Sequence, residues 1–145
     1  MKLTTEQFVA AVYLFEKANG NKKDEFEEQH IQDSGLAKFE ASQLEGIIIK
    51  GFEDNLYTTQ EERVDVYWCL GKRFNKELIP LFIEWLESEA SSKNPYTVYQ
   101  LLISLGNMGE PVFNKEREGG SAYYETELNM RDAENYLKKT IHKPT

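Results

Sequence analysis

Few side chains in this sequence of 145 residues could carry out catalytic chemistry. It contains two histidines and one cysteine. Glu27 and His30 have the Glu-x-x-His spacing that places two metal ligands on one face of a helix in carboxylate-bridged di-iron bundles. Such a centre requires a second Glu-x-x-His pair and further carboxylates, and His142 does not complete one. We therefore expect an exposed polar pair at Glu27 and His30, and no metal site.

Cys69 is the one thiol that could act as a nucleophile. A nucleophilic cysteine needs a neighbouring base and a polar environment that lowers its pKa. Tyr67, Trp68 and Leu70 flank this cysteine, and such apolar neighbours predict burial instead. A single cysteine also excludes an intrachain disulfide, in keeping with a cytoplasmic location.

Cofactor chemistry is also unsupported by the motifs. Gly106 and Gly109 are followed by Glu110, whose charge opposes the anion that a phosphate-binding glycine loop cradles. Carboxylates are abundant, so the residue types alone do not exclude an enzyme with a carboxylate site. Most of them, however, fall in first helical turns or on solvent faces, where helix capping and solubility account for them. We expect no catalytic residue and no cofactor.

The net charge of −8 is concentrated in the middle of the chain. Residues 24–89 contain sixteen Asp or Glu against six Lys or Arg, a balance of −10, whereas the rest of the chain has a balance of +2. An acidic surface repels nucleic acid phosphates and anionic lipid, and it accelerates encounter with a basic protein. We expect a basic protein partner, with neither nucleic acid nor membrane as a target. Alternatively, the acidity serves only solubility.

Length and composition predict one globular domain with its own core. Apolar residues make up 40% of the chain and aromatic residues 12%, too much for a disordered segment. No apolar run approaches the roughly 20 residues of a membrane helix. The N-terminal residues become polar at once and show no secretory signal, so we expect a cytoplasmic protein.

The stretch Tyr96–Phe113 predicts a central helix. Its apolar residues form two adjacent helical stripes, so neighbouring elements should cover it on more than one side. Gly106 and Gly109 can take the left-handed conformation that ends a helix. Pro111 suits the first turn of a following helix, because that position needs no N–H.

Six further segments have helical spacing of apolar residues or helix start and stop residues. The run Ile47–Ile49 could instead form a strand, but no partner segment shows a period of two. Thr4 and Gln7 have the spacing of a capping box. The sequence therefore predicts an all-α fold of about seven helices. The further helices are expected at about 4–18, 24–33, 36–50, 58–71, 76–88 and 129–141.

The segment Leu105–Val112, Leu-Gly-Asn-Met-Gly-Glu-Pro-Val, resembles the turn between the two helices of a HEAT-like repeat. A second Leu-Gly pair, Leu70–Gly71, precedes the first by 35 residues, which is within the range of solenoid repeat periods. The resemblance implies a short right-handed α-solenoid or helical bundle built from HEAT-like pairs. In that organisation residues 1–57 form N-terminal helices, residues 58–113 form the repeats, and residues 114–145 form a loop and a capping helix.

The repeat resemblance stops after Phe113. The second helix of a HEAT-like pair should continue with apolar residues, but residues 114–118 are all polar and Gly119–Gly120 breaks the chain. Either that helix is very short or an inserted loop replaces it.

Small, acidic helical proteins with degenerate HEAT-like repeats resemble bacterial toxin-immunity proteins, including those of contact-dependent inhibition. The resemblance implies an inhibitor that covers the active site of a basic toxin. The expected toxin is a nuclease, because acidic side chains can mimic phosphates. One alternative is a helical scaffold or adaptor for another protein partner. A third is an enzyme with a carboxylate site.

The predicted binding surface is an acidic stripe. In paired-helix solenoids the second helices line the concave face. The helix over residues 76–88 places Glu84 and Glu87 three positions apart, with Glu89 also on its polar face. Four residues before and at the start of the first repeat extend the stripe: Asp54, Tyr57, Glu61 and Glu62.

The alternative binding site is the segment 114–124. A loop that interrupts a repeat often projects from a binding face. Tyr123 and Tyr124 could anchor a partner there, since tyrosine is common at interface hot spots. Like Trp85, they could instead pack against the core or its edge.

Overall fold

The computed structural model describes residues 1–117 and 120–141, and it confirms the all-α fold. These residues form seven α-helices and two short 3₁₀ helices, and they contain no β-strand. Glu118, Gly119 and His142 lie outside the described residues. The chain divides into two compact units, Met1–Phe74 and Asn75–Thr145, and the boundaries at residues 57 and 113 stay a prediction.

The first unit is built around its first helix. It contains α1 (Thr5–Ala18), α2 (Glu25–Ser34), α3 (Ala41–Glu53) and α4 (Gln60–Gly71). The central helix is α1, because it packs against the other three. Large apolar side chains at helical spacing are buried between these helices: Phe8, Val12, Phe15, Leu44, Ile48 and Leu70.

Capping boxes define where the helices of this unit begin. Thr4 Oγ1 accepts a hydrogen bond from the Gln7 N–H at 3.1 Å, and Gln7 Oε1 accepts one from the Thr4 N–H at 3.0 Å. The Thr59 and Glu62 pair makes the same two bonds at the start of α4. Each box satisfies two backbone donors that the helix leaves unpaired. The predicted cap at Thr4 and Gln7 is confirmed.

The second unit contains three α-helices, each of which contacts the other two. They are α5 (Ile79–Ser91), α6 (Pro95–Asn107) and α7 (Thr126–Ile141), with 3₁₀ helices at Lys76–Leu78 and Lys115–Arg117. The predicted central helix corresponds to α6, which is covered by both α5 and α7. Its buried side chains are Thr97, Val98, Leu101, Leu102, Ser104 and Leu105.

No α-helix begins at Pro111, so the expectation that a helix restarts there was wrong. Gly109 has a φ of 90°, the left-handed conformation predicted to end α6. The chain then continues as an irregular loop with the 3₁₀ helix Lys115–Arg117. Lys115 and Glu116 are exposed, and the segment lacks the apolar stripe whose packing would stabilise a helix.

Glu89 is not on the polar face of α5, contrary to the prediction. It is buried on the same stripe as Phe82 and Leu86, one turn further along the helix. Its Oε1 accepts a hydrogen bond from Asn94 Nδ2 at 2.9 Å, which ties the end of α5 to the turn before α6. The helical period assigns position 89 to the core, and the hydrogen bond from Asn94 gives the buried Glu89 carboxylate a partner there.

Candidate protein-interaction surface

The acidic residues predicted to bind a partner lie in both units, and most of them face solvent. In the first unit, Asp54 and Glu61 are exposed, and Asp54 Oδ2 pairs with Lys50 Nζ at 3.2 Å. In the second unit, Glu84 and Glu87 are exposed on α5. These four carboxylates are accessible to a partner, and their role in binding stays a prediction.

Tyr57 does not belong to this surface. Its side chain is only 3% exposed, and its hydroxyl accepts a hydrogen bond from the Leu3 N–H at 2.8 Å. The ring packs edge-on against Phe8, with the ring centroids 5.3 Å apart. Burial raises the pKa of the Tyr57 hydroxyl. Tyr57 therefore attaches the N-terminal segment to the core.

Gly51 is the sequence signal that accompanies this packing. It is buried near the end of α3, and a Cβ at this position would lie 3.0 Å from Tyr57 Cε2. A glycine inside a helix commonly marks a place where another group approaches the backbone closely. The loop after Gly51 combines aromatic and acidic residues, and this pattern led to the prediction that Tyr57 is exposed. The structure buries it.

Glu62 is occupied by structural contacts at the start of α4. Its carboxylate forms an ion pair with Lys2, and its Oε1 accepts hydrogen bonds from the N–H groups of Thr58 and Thr59. The Lys2 hydrogen bond and the Thr59 N–H lower its pKa from 4.5 to about 2, because both stabilise the charged form. Glu62 thus holds a helix terminus, whereas its neighbour Glu61 is exposed.

The exposed tyrosines of the second unit form a cluster. Tyr96, Tyr123 and Tyr124 are 46%, 59% and 71% exposed. The ring centroids of Tyr96 and Tyr123 are 6.1 Å apart, and those of Tyr123 and Tyr124 are 5.6 Å apart in an edge-to-face arrangement. We call these three residues the tyrosine cluster. Tyr123 and Tyr124 were predicted as binding residues from the sequence, whereas Tyr96 was not. Its position outside the buried stripe of α6 was the signal that could have indicated its exposure.

A buried arginine holds the loop that carries Tyr123 and Tyr124. Arg117 donates from Nη1 to Asp132 Oδ2 at 2.9 Å, and from Nη2 to Asn129 Oδ1 at 2.7 Å and Glu125 Oε1 at 3.2 Å. Its guanidinium carbon lies 5.2 Å from the centroid of the Phe113 ring. Arg117, Asn129 and Asp132 are all buried. The loop is therefore joined to α7 by directional, charge-assisted bonds.

Further hydrogen bonds fix the backbone next to the tyrosines. The Tyr99 hydroxyl donates to the Ser121 carbonyl at 3.1 Å. The Ala122 N–H donates to Glu125 Oε1 at 2.8 Å, and Asn129 Nδ2 donates to the Ala122 carbonyl at 3.1 Å. Residues 121 and 122 are thus anchored on α6 and α7, immediately before Tyr123.

The side chains considered for catalysis or metal binding are buried or make contacts within the fold. Cys69 is buried, and burial, with a smaller effect of Asp65, raises the pKa of its thiol well above the ordinary value. Glu27 Oε2 lies 3.4 Å from Lys23 Nζ, and His30 Nε2 lies 3.2 Å from the Glu6 carbonyl oxygen. Across residues 1–117 and 120–141, no group of three or more potential ligand side chains is arranged to hold a metal ion.

Among the described helices, none combines the length and apolar character needed to cross a membrane. Comparison with protein families, with curated proteins and with solved structures gave no match to this chain.

Changing Arg117 to Ala should destabilise the second unit by about 3 kcal/mol, the lower end of what losing one partner of a buried ion pair costs. The lower end applies because Arg131 still pairs with Asp132, at 3.0 Å. Urea unfolding would measure the change, with the exposed Lys115→Ala as the control, expected within about 0.5 kcal/mol of the wild type. Equal midpoints for the two variants would contradict the role given to Arg117.

Changing Glu62 to Gln should lower the melting temperature at pH 7, and this difference should disappear as the pH falls from about 4.5 to about 2. A carboxylate with a depressed pKa stabilises the fold above its unfolded pKa and loses that effect on protonation. Glutamine can keep the capping hydrogen bonds, so the change isolates the charge. Glu61→Gln is the matched control. A difference that stays constant with pH would argue against this account.

Proposed function

We propose that this protein is a protein-binding inhibitor of the bacterial immunity type, which neutralises a basic toxin, with a nuclease as the first expectation. It would act in the cytoplasm by covering the toxin's active site or substrate cleft. The HEAT-like organisation suggested by Leu70–Gly71 and Leu105–Gly106 is part of this proposal.

The observation that carries the proposal is the tyrosine cluster, of which Tyr123 and Tyr124 lie on the anchored loop. Large aromatic side chains are normally buried, and an exposed group of them favours a contact surface. Tyrosine offers apolar area and a hydroxyl while having few rotatable bonds to restrict. Arg117 holds the loop before any partner arrives, which lowers the entropy lost on binding.

Charge supports a basic partner. The chain carries a net charge of −8, and exposed carboxylates such as Glu84 and Glu87 face solvent on α5. Such a surface attracts a protein whose own cleft is built to bind phosphates, since the two fields are complementary. Nucleic acid itself would be repelled.

The alternative is a scaffold or adaptor that uses the same cluster for a partner without toxic activity. A gene for a basic toxin domain immediately upstream would favour the inhibitor over the scaffold. An enzyme with a carboxylate site is the third possibility, and it would require clustered carboxylates with shifted pKa values in a deep pocket.

Replacing both Tyr123 and Tyr124 with Ser should weaken partner binding by roughly 30-fold or more, since one hot-spot residue contributes about 2 kcal/mol. Tagged wild-type and double-variant proteins would capture partners from the source cells for mass spectrometry. The captured basic protein would then be tested for cleavage of RNA and DNA, with and without an equimolar amount of the wild type.

The expected result is a nuclease that the wild type silences and the double variant does not. Changing Lys138 and Lys139, exposed on α7, to Ser is the matched control and should leave capture unchanged. Retention of nucleic acid or small molecules alone would contradict the proposal. A retained protein without toxic activity would favour the scaffold.

Reversing Glu84 and Glu87 to Lys should slow association with the captured partner, most clearly at low salt. Exposed charges act mainly on the association rate, and dissolved ions screen them. Stopped-flow measurements over a range of ionic strength would test this. If the rates equal those of the wild type at every salt concentration, these carboxylates serve only solubility.

A further inference from the structure

A groove of about 310 Å³ lies in the first unit, bordered by residues of α1 and α2. Its lining combines carboxylates with aromatic rings: Glu6, Phe26, His30 and Asp33. Phe26 is 72% exposed, the most exposed aromatic side chain among the described residues. Burial within the core does not account for a phenylalanine at this position.

The aromatic part of the groove is held in place by ring contacts. The His30 ring lies edge-on to Tyr13, with centroids 5.6 Å apart, and to Phe26, with centroids 6.3 Å apart. His30 Nε2 also lies 3.2 Å from the Glu6 carbonyl oxygen. Phe26 therefore extends a row of rings that begins at the half-buried Tyr13.

The acidic part of the groove keeps oxygen atoms available. Glu6 is exposed, and its Oε2 lies 3.7 Å from His30 Nε2. Asp33 Oδ1 accepts a hydrogen bond from Gln29 Nε2 at 2.8 Å, which orients the carboxylate. Asp33 is itself exposed to solvent. Two carboxylates and an exposed aromatic face thus border one concave space.

We propose that this groove binds an arginine side chain presented by a basic protein. A guanidinium is planar, so it can lie against the Phe26 ring while its N–H groups donate to carboxylate oxygens. Its pairing with a carboxylate is often bidentate, whereas the lysine ammonium is a compact, strongly hydrated point charge. The groove therefore selects arginine over lysine.

This inference does not rest on the proposed function, because it predicts that the full chain recognises an arginine derivative without any toxin. The test is a titration of the ¹⁵N-labelled protein with N-acetyl-arginine methylamide at low salt, followed by the backbone amide signals. N-acetyl-lysine methylamide and the uncharged citrulline derivative are the comparison probes. Saturable shifts are expected at Phe26, His30 and Asp33, with arginine bound more tightly than lysine and citrulline unbound.

Changing Phe26 to Leu keeps the apolar bulk and removes the aromatic face, so it should weaken arginine binding about two- to fivefold. Changing Asp33 to Asn should have an effect of similar size, as expected for an exposed ion pair. The matched control is Glu134→Gln, an exposed acid on α7, which should bind arginine as the wild type does. Equal binding of citrulline, absence of saturable shifts at the groove, or an unchanged affinity in Phe26→Leu would overturn the proposal.

Discussion

The candidate binding surface depends on the hydrogen bonds and ion pairs of the Arg117 guanidinium. Removing an arginine from water is costly, and this cost is offset only where its N–H groups find well-placed acceptors. Asp132, Asn129 and Glu125 supply them at distances between 2.7 and 3.2 Å. The loop after α6 is too polar to pack as a helix, so this network takes the place of an apolar interface. Directional bonds also give the loop a defined position.

A defined loop position matters for a protein that binds another protein. Association immobilises side chains, and the loss of entropy is smaller when the free protein already has the bound conformation. Tyr123 and Tyr124 of the tyrosine cluster follow directly after residues 121 and 122, which α6 and α7 anchor. The polar network therefore links the stability of the second unit to the recognition that we propose for it.

Local patterns were predictable from the sequence, and long-range contacts were not. The Thr4–Gln7 and Thr59–Glu62 caps join residues three positions apart, so their spacing alone indicates them. Tyr57 meets Leu3 across 54 positions, and helical periodicity carries no information about such a pairing. The all-α content and the covering of α6 by more than one neighbouring helix followed from the apolar stripes.

Candidate site residues were harder to predict, because exposure depends on the partners that a polar or aromatic side chain finds. Arg117 looked like one charge in a polar loop, yet it is buried on acceptors that lie eight to fifteen positions later.

Amide hydrogen exchange at Ala122 in the free protein tests the central claim, that the loop is held before binding, most directly. The account predicts slow exchange in the wild type and much faster exchange in Arg117→Ala. Exchange in the wild type at the rate of an unstructured peptide would contradict it.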